Sequence, residues 1–170
     1  MARLPYADPN DAETAPLTER IRRERGKVLN LYGMLLHSPP VAEGWLAFLT
    51  AIRQKCALSG RVRELVIMRV AVLNGADYEF RSHVPFALAE GITQAQIDAL
   101  KQGTTEAFGG SERSVLAYCD SMTREVHVPQ AVFDAVRPHF SERELVELTA
   151  TIAAYNLVSR FLEALQIDHE

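Results

Sequence analysis

A chain of 170 residues is long enough for one domain with a buried core, and its formal net charge of −4 argues against a nucleic-acid-binding surface. Apolar residues make up 48% of the chain and charged residues 24%, a balance typical of globular proteins and unlike that of disordered chains. No apolar window of about 18 residues is present, and the N-terminal segment lacks the apolar core of a signal peptide, so we expect a cytoplasmic protein that binds neither membrane nor nucleic acid.

Apolar residues recur at helical spacing along most of the chain, which predicts an all-α fold. Residues 1–16 are rich in Pro, Asp and Asn and are predicted to form an irregular N-terminal arm, with a single all-helical domain over residues 17–170. Residues 17–37 show the first helical pattern. Ser38-Pro39-Pro40 then predicts the start of a second helix, because proline is favoured in the first helical turn.

The most apolar segment, residues 61–74, is predicted to be a helix buried on most sides. Asn74-Gly75 is a typical helix end, and Asp77 is predicted to be the N-cap of a helix over residues 78–90 that contains Pro85. Since the connection is very short, the two helices are expected to pack as antiparallel neighbours.

The remaining segments are also predicted to be helical. Thr93 with Gln96, and Ser141 with Glu144, have the spacing of capping boxes. The tetrapeptide "RELV" at residues 63–66 recurs at residues 143–146, which indicates either two related helical halves or one favourable helix opening used twice.

A polar cluster follows the apolar helix. Glu79 and His83 are four residues apart and therefore share a helix face, where a carboxylate and an imidazole can exchange or hold a proton. Tyr78 lies in the same first turn, and Glu64 lies in the preceding helix. The alternative is an ordinary Glu–His pair on a solvated surface, with Arg61 as the simple partner of Glu64.

The spacing of these residues resembles that of the carboxymuconolactone decarboxylase family, within the alkylhydroperoxidase D-like superfamily. Redox members of that superfamily carry Glu, eleven residues, Cys-x-x-Cys, three residues and His. Here Glu64 and His83 occupy the outer positions, whereas Ala76 and Glu79 stand at the two cysteine positions. The segments "LLHSPPVAEGW" and "LVELTATIAAYNLVSRFLEAL" are similar to this family as well. The resemblance implies an alkylhydroperoxidase D-like helical bundle that forms a homo-oligomer, a trimer or hexamer, with the Glu and His near a subunit interface.

The motif without its cysteines cannot run the thiol relay of the peroxide-reducing members. The polar cluster instead suits a lyase that uses acid–base catalysis. The expected reaction is decarboxylation or proton transfer on a small carboxylate or lactone, and the residues are Glu64, Tyr78, Glu79 and His83. In this hypothesis His83 donates the proton, Glu79 orients it, Glu64 is a second acid or base, and Tyr78 binds the oxyanion of the substrate.

Three alternatives stay open at this level. One is a peroxidase-related redox protein with peroxiredoxin-type activity through Cys56 or a partner's thiol, although Cys56 and Cys119 have no metal or redox spacing. Another is a non-catalytic oligomeric binding protein. The third is a metal site formed by Glu64, Glu79 and His83. No cofactor-binding motif is present, so no cofactor is expected.

Overall fold

The computed structural model describes residues 1–170 and consists of nine α-helices and one short 3-10 helix, with no strand, which confirms the all-α prediction. No helix in it has the length and apolar character needed to cross a bilayer. The helices, in chain order, are α1 (Ala15–Arg25), α2 (Asn30–Leu35), α3 (Pro39–Gln54), α4 (Gly60–Asn74), α5 (Asp77–Ala89), α6 (Gln94–Gln102), α7 (Gly110–Arg124), α8 (Gln130–Val136), the 3-10 helix (Arg137–His139) and α9 (Glu142–Leu165).

The chain forms two compact units, one of residues 1–55 and 161–170 and one of residues 56–160. In the first unit, residues 1–14 contain no helix. A backbone hydrogen bond joins this segment to the C-terminal end of α9, where the Arg3 amide donates to the Leu165 carbonyl at 2.9 Å. The rings of Trp45 and Phe161 lie 5.1 Å apart in the same unit.

The helical pattern of residues 17–37 is divided in the structure. Gly26 ends α1 with a φ of 82°, a conformation that other residues rarely adopt, and α2 begins only at Asn30. Pro39 begins α3 with Ser38 at its N-cap position, as the sequence predicted. The apolar spacing was therefore a good guide to helix but not to the break within it.

Helix α4 is the centre of the second unit. Its side chains from residue 64 to residue 71 are all buried, and its main packing partners are α5 and α7. Because the helix is covered on most of its circumference, its sequence is nearly continuously apolar rather than amphipathic. The polar residues within it, Glu64 and Arg69, therefore need partners inside the unit.

The connection between α4 and α5 explains one wrong detail of the sequence prediction. Gly75 adopts the left-handed conformation, its amide bonds the Val72 carbonyl, and the Ala76 amide bonds the Ala71 carbonyl, which together form a Schellman motif. Ala76 then serves directly as the N-cap residue of α5. Asp77, predicted to be the N-cap, is instead the first helical residue and pairs with Arg81 at 2.8 Å.

Both capping boxes are confirmed. Thr93 and Gln96 exchange hydrogen bonds at the start of α6. At the start of α9, the Glu144 amide donates to the Ser141 hydroxyl at 3.2 Å and the Ser141 amide donates to the Glu144 carboxylate at 2.9 Å. Glu144 thus caps a helix, so the second copy of "RELV" differs in its contacts from the first, where Glu64 is buried.

An ion pair joins α4 to α7. Arg69, only 4% exposed, donates through Nε and Nη2 to the two carboxylate oxygens of Asp120 at 2.7 and 2.6 Å. A buried guanidinium costs several kcal/mol when its anion is removed, because its desolvation is no longer offset. This pair therefore fixes the register of α4 against α7.

We predict that Asp120→Asn lowers the free energy of unfolding by about 2 kcal/mol, because the buried Arg69 charge loses its counterion. Urea denaturation followed by circular dichroism measures the change. The matched control is Asp77→Asn, which removes the partner of the well-exposed Arg81 and should cost less than about 1 kcal/mol. Equal losses in the two variants would contradict the assignment of Arg69–Asp120 as the anchor of α4.

Candidate active site

A hydrogen bond between α4 and α5 brings together two residues that the sequence separates by nineteen positions. His83 Nδ1 lies 2.7 Å from Glu64 Oε2. Glu64 is in the second turn of α4 and His83 in the second turn of α5, and the tight turn at Gly75 folds the two helices onto each other. The pair is therefore a product of helix packing and not of spacing along one helix.

The predicted site residues are all removed from solvent. Exposure is 1% for Glu64, 7% for Tyr78, 2% for Glu79 and 7% for His83. A Glu–His pair on a wet surface would be largely exposed, so that alternative does not describe this cluster. Ionisable groups buried in this way are typical of functional sites, where low water content strengthens their interactions.

The structure supplies a different orienting partner for the imidazole from the one proposed from helical spacing. The carboxylate at Nδ1 belongs to Glu64, whereas Glu79 was expected to orient the ring. A carboxylate at Nδ1 fixes the position and orientation of the imidazole ring. Glu79 lies one turn before His83 on α5.

Arg63 completes the surroundings of the Glu64 carboxylate. Its Nε donates to Glu64 Oε1 at 3.1 Å. Burial acts to raise the pKa of Glu64, but hydrogen bonds and charge from His83 and Arg63 outweigh it and hold the pKa below the ordinary 4.5. Glu64 is therefore ionised at neutral pH and places a negative charge beside the imidazole of His83.

Arg61, expected to be the simple partner of Glu64, is engaged elsewhere. It donates to Glu112 at 2.8 Å and to Gln96 at 3.1 Å. Adjacent residues of a helix point about 100° apart, so helical spacing did not predict a contact between Glu64 and Arg63. The flexible Arg63 side chain reaches back to its neighbour nonetheless.

Aromatic rings form two walls of the site. The ring of Tyr155, from α9, meets the imidazole edge-on with centroids 5.2 Å apart, and the ring of Phe86 lies at 5.7 Å. Tyr155 is buried, whereas Phe86 is 47% exposed, so Phe86 marks the side of the imidazole nearest to solvent. Neither ring was predicted to lie at the site. Tyr155 is 72 positions from His83 in the sequence, and only the packing of α9 brings it there.

A separate cavity of about 210 Å³ lies at the start of α5. Ala76, which occupies the first cysteine position of the motif, is one of its lining residues, with Asp77, Phe80 and Lys101. None of the four predicted site residues lines it. The cavity and the Glu64–His83 cluster are therefore separate features of the second unit.

The structure also bears on the metal and thiol alternatives. No group of three or more His, Cys, Asp and Glu side chains is arranged to hold a metal ion, so Glu64, Glu79 and His83 lack the geometry of a ligand set. Burial and the nearby Glu147 raise the pKa of the Cys56 thiol, and burial raises that of Cys119 to about 12. Both thiols are thus poorer nucleophiles than an ordinary cysteine at neutral pH.

His37 lies in the first unit and binds the N-terminal segment. Its Nε2 lies 2.6 Å from the Pro5 carbonyl oxygen, within the first unit. This contact helps to fix the N-terminal segment and does not involve the Glu64–His83 pair.

Comparison with known proteins supports the fold and part of the resemblance. Residues 39–121 match the model of the carboxymuconolactone decarboxylase family. No curated protein matches the chain. Several solved structures do, at identities that establish a shared fold alone.

One similar structure is the alkylhydroperoxidase AhpD core of an uncharacterized peroxidase-related protein from Ralstonia eutropha JMP134, with a TM-score of 0.83 and 18% identity over 99% of this chain and 92% of that one. A peroxidase-related protein from Silicibacter sp. TM1040 gives 0.81 and 20% identity over 99% and 92% of the two chains. A variant of the debrominase Bmp8 in complex with 2,3,4-tribromopyrrole gives 0.81 and 18% identity over 100% and 94%.

The matched segment contains Glu64, Glu79 and His83, together with α4 and α5 that position them. Residues 39–121 are therefore similar to the carboxymuconolactone decarboxylase family, within a chain that has the alkylhydroperoxidase D-like fold and carries Ala76 and Glu79 at the two cysteine positions of the Cys-x-x-Cys motif.

Proposed function

We propose that this protein catalyses proton transfer at carbon on a small carboxylate or lactone, with decarboxylation as the leading reaction and the Glu64–His83 pair as the acid–base centre. The observation that carries the proposal is the buried 2.7 Å hydrogen bond between His83 Nδ1 and Glu64. An imidazole held by an ionised carboxylate is a general acid and base suited to neutral pH.

The proposed step balances with groups present in the chain and the substrate. The bond between the substrate carbon and its carboxylate breaks, CO₂ leaves, and the electron pair remains on the substrate as an enolate. His83, protonated at Nε2, donates that proton to the carbon. The neutral imidazole then takes a proton from water, and the hydroxide combines with the released CO₂ to give bicarbonate. Glu64 stays ionised throughout and stabilises the imidazolium before the transfer.

The other two residues of the cluster receive supporting roles. Tyr78 is proposed to donate a hydrogen bond to the enolate oxygen, where negative charge develops. Glu79 is proposed as a second acid or base, because Glu64 already holds Nδ1 of His83. Phe86 and Tyr155 are proposed to offer apolar contact to a small, flat substrate.

The comparisons support this proposal at the level of family. The matched family model bears the name of a lactone decarboxylase. The names of the peroxidase-related neighbours favour the redox alternative instead. The raised pKa of both thiols argues against that alternative for this chain.

We predict that His83→Gln and Glu64→Gln each lower the rate of turnover by about 10²- to 10⁴-fold, the usual contribution of general acid–base catalysis. The assay follows CO₂ release and deuterium incorporation from D₂O, using a panel of lactone carboxylates and β-keto acids that includes carboxymuconolactone. His127→Gln is the control, because His127 is exposed and remote in sequence from the cluster. Turnover that survives His83→Gln would overturn the proposal, and a folded protein inert toward the whole panel would favour a binding role.

The depressed pKa of Glu64 predicts a pH dependence of stability. Because the pKa is lower in the folded protein than the ordinary 4.5, the ionised carboxylate stabilises the fold above that pH, and this stabilisation is lost as the pH falls through the folded pKa. The advantage of the wild type over Glu64→Gln should therefore shrink below about pH 4.5. Urea denaturation of both proteins between pH 7 and pH 3 measures it, and a difference independent of pH would contradict the ionised state.

The state of the thiols predicts slow alkylation. At pH 7.5 iodoacetamide should modify Cys56 more slowly than free cysteine, and Cys119 only after unfolding, because both thiols resist ionisation. Mass spectrometry of the labelled peptides gives the rates. Rapid labelling of Cys56 together with peroxide consumption that labelling abolishes would restore the redox alternative.

A further inference from the structure

Arg63 lies between two carboxylates. Its Nε donates to Glu64 Oε1 at 3.1 Å, and its Nη2 donates to Glu90 Oε1 at 3.3 Å. Together with the His83–Glu64 contact, these bonds form a line of alternating charge that runs from the middle of α5, through α4, to the C-terminal end of α5. The exposed fraction of the side chains rises along the line, from 1% for Glu64 to 17% for Arg63 and 40% for Glu90.

The Glu90 end of this line is fitted to the start of α4. A Cβ atom at Gly60 would overlap the carboxylate of Glu90, so this carboxylate occupies the space that a glycine leaves open. Gly60 is the first residue of α4, where the helix dipole favours a negative charge. Glycine at this position therefore permits the contact between Glu90 and Arg63.

A second set of contacts holds the same corner of the unit together. Arg61, one turn from the Glu64 side chain, donates to the Gly91 carbonyl, to Gln96 and to Glu112. The end of α5 is thus tied to the beginning of α4 next to Glu90. With the corner fixed, Arg63 has a defined position relative to Glu64.

We propose that Arg63 and Glu90 are positioning residues that set the proton affinity of the Glu64–His83 pair. The positive charge of Arg63 partly neutralises the Glu64 carboxylate and so weakens its stabilisation of a protonated His83. The negative charge of Glu90 partly neutralises Arg63 and so reduces this effect. The further titratable groups are Tyr78 and Glu79, which are buried on the same helix as His83, and Tyr155 of α9, whose ring contacts the imidazole. The line of charge acts in addition to them. An effect of Arg63 and Glu90 on turnover rests on the proposed function, whereas their effect on the pKa of His83 does not.

The proposal makes two predictions of opposite sign for the titration of His83, measured by NMR of the imidazole in the full chain. Arg63→Gln removes a cation and leaves Glu64 entirely to His83, so the pKa of the imidazole should rise, by about half a unit or more for a charge lost a few ångströms away. Glu90→Gln removes the anion that partly neutralises Arg63, so Arg63 acts more strongly on Glu64. The imidazole pKa should therefore fall, by a smaller amount than it rises in Arg63→Gln.

Two further variants separate charge from packing. Gly60→Ala displaces the Glu90 carboxylate without removing a charge, and it should lower the imidazole pKa as Glu90→Gln does. Arg81→Gln is the matched control, because it removes an arginine charge from the exposed face of α5 and should leave the titration of His83 unchanged. Thermal unfolding of each variant verifies that it is folded, and if Arg63→Gln does not fold, Glu90→Gln and Gly60→Ala still decide the sign.

The outcomes distinguish this inference from the proposed function. Shifts of the same sign in Arg63→Gln and Glu90→Gln, or no shift in either, overturn the positioning role, whatever the activity. Shifts of opposite sign in a protein without acid–base activity uphold the positioning role and reject the proposed function. In an active protein, the pH profile of kcat should move in the same direction as the imidazole pKa in each variant.

Discussion

The buried hydrogen bond between Glu64 and His83 is the constraint that organises the second unit. Removing a carboxylate and an imidazole from water is costly unless each stabilises the charge of the other. The pair meets this condition, and Arg63 contributes the further cation that keeps Glu64 ionised. The constraint also explains why the most apolar helix of the chain leads directly into a polar segment: the start of α5 provides partners for a charge within α4.

The fold positions this pair through contacts at both ends of α4. At the C-terminal end, the Schellman motif at Gly75 turns the chain so that α5 runs back along α4. Near the middle, Arg69 bonds Asp120 and fixes α4 against α7. At the N-terminal end, Arg61 and Arg63 connect α4 to the end of α5. These contacts hold α4 against α5 on both sides of Glu64, which places its carboxylate within hydrogen-bond distance of His83.

The same fold is shared with peroxidase-related proteins and a debrominase, yet the residues decide which chemistry a chain can perform. Here Ala76 and Glu79 take the cysteine positions of the redox motif. Cys119 is fully buried and Cys56 lies beside Glu147, which disfavours both thiolates. Glu64 and His83 stand at the outer positions of the motif, and the proposed acid–base function rests on this pair.

The sequence by itself determined the all-helical character of the chain, the capping boxes at Thr93 and Ser141 and the helix end at Gly75, because these depend on local spacing and backbone preference. It also singled out Glu64 and His83 as candidate site residues. It did not determine which carboxylate meets the imidazole, since helical spacing favours Glu79 and only the packing of α5 on α4 selects Glu64. Helix packing also brings three further residues to the candidate site, namely Arg63, Glu90 and Tyr155. Tertiary contacts between helices are set by how whole surfaces fit, and that information is spread over the chain and not contained in any one motif.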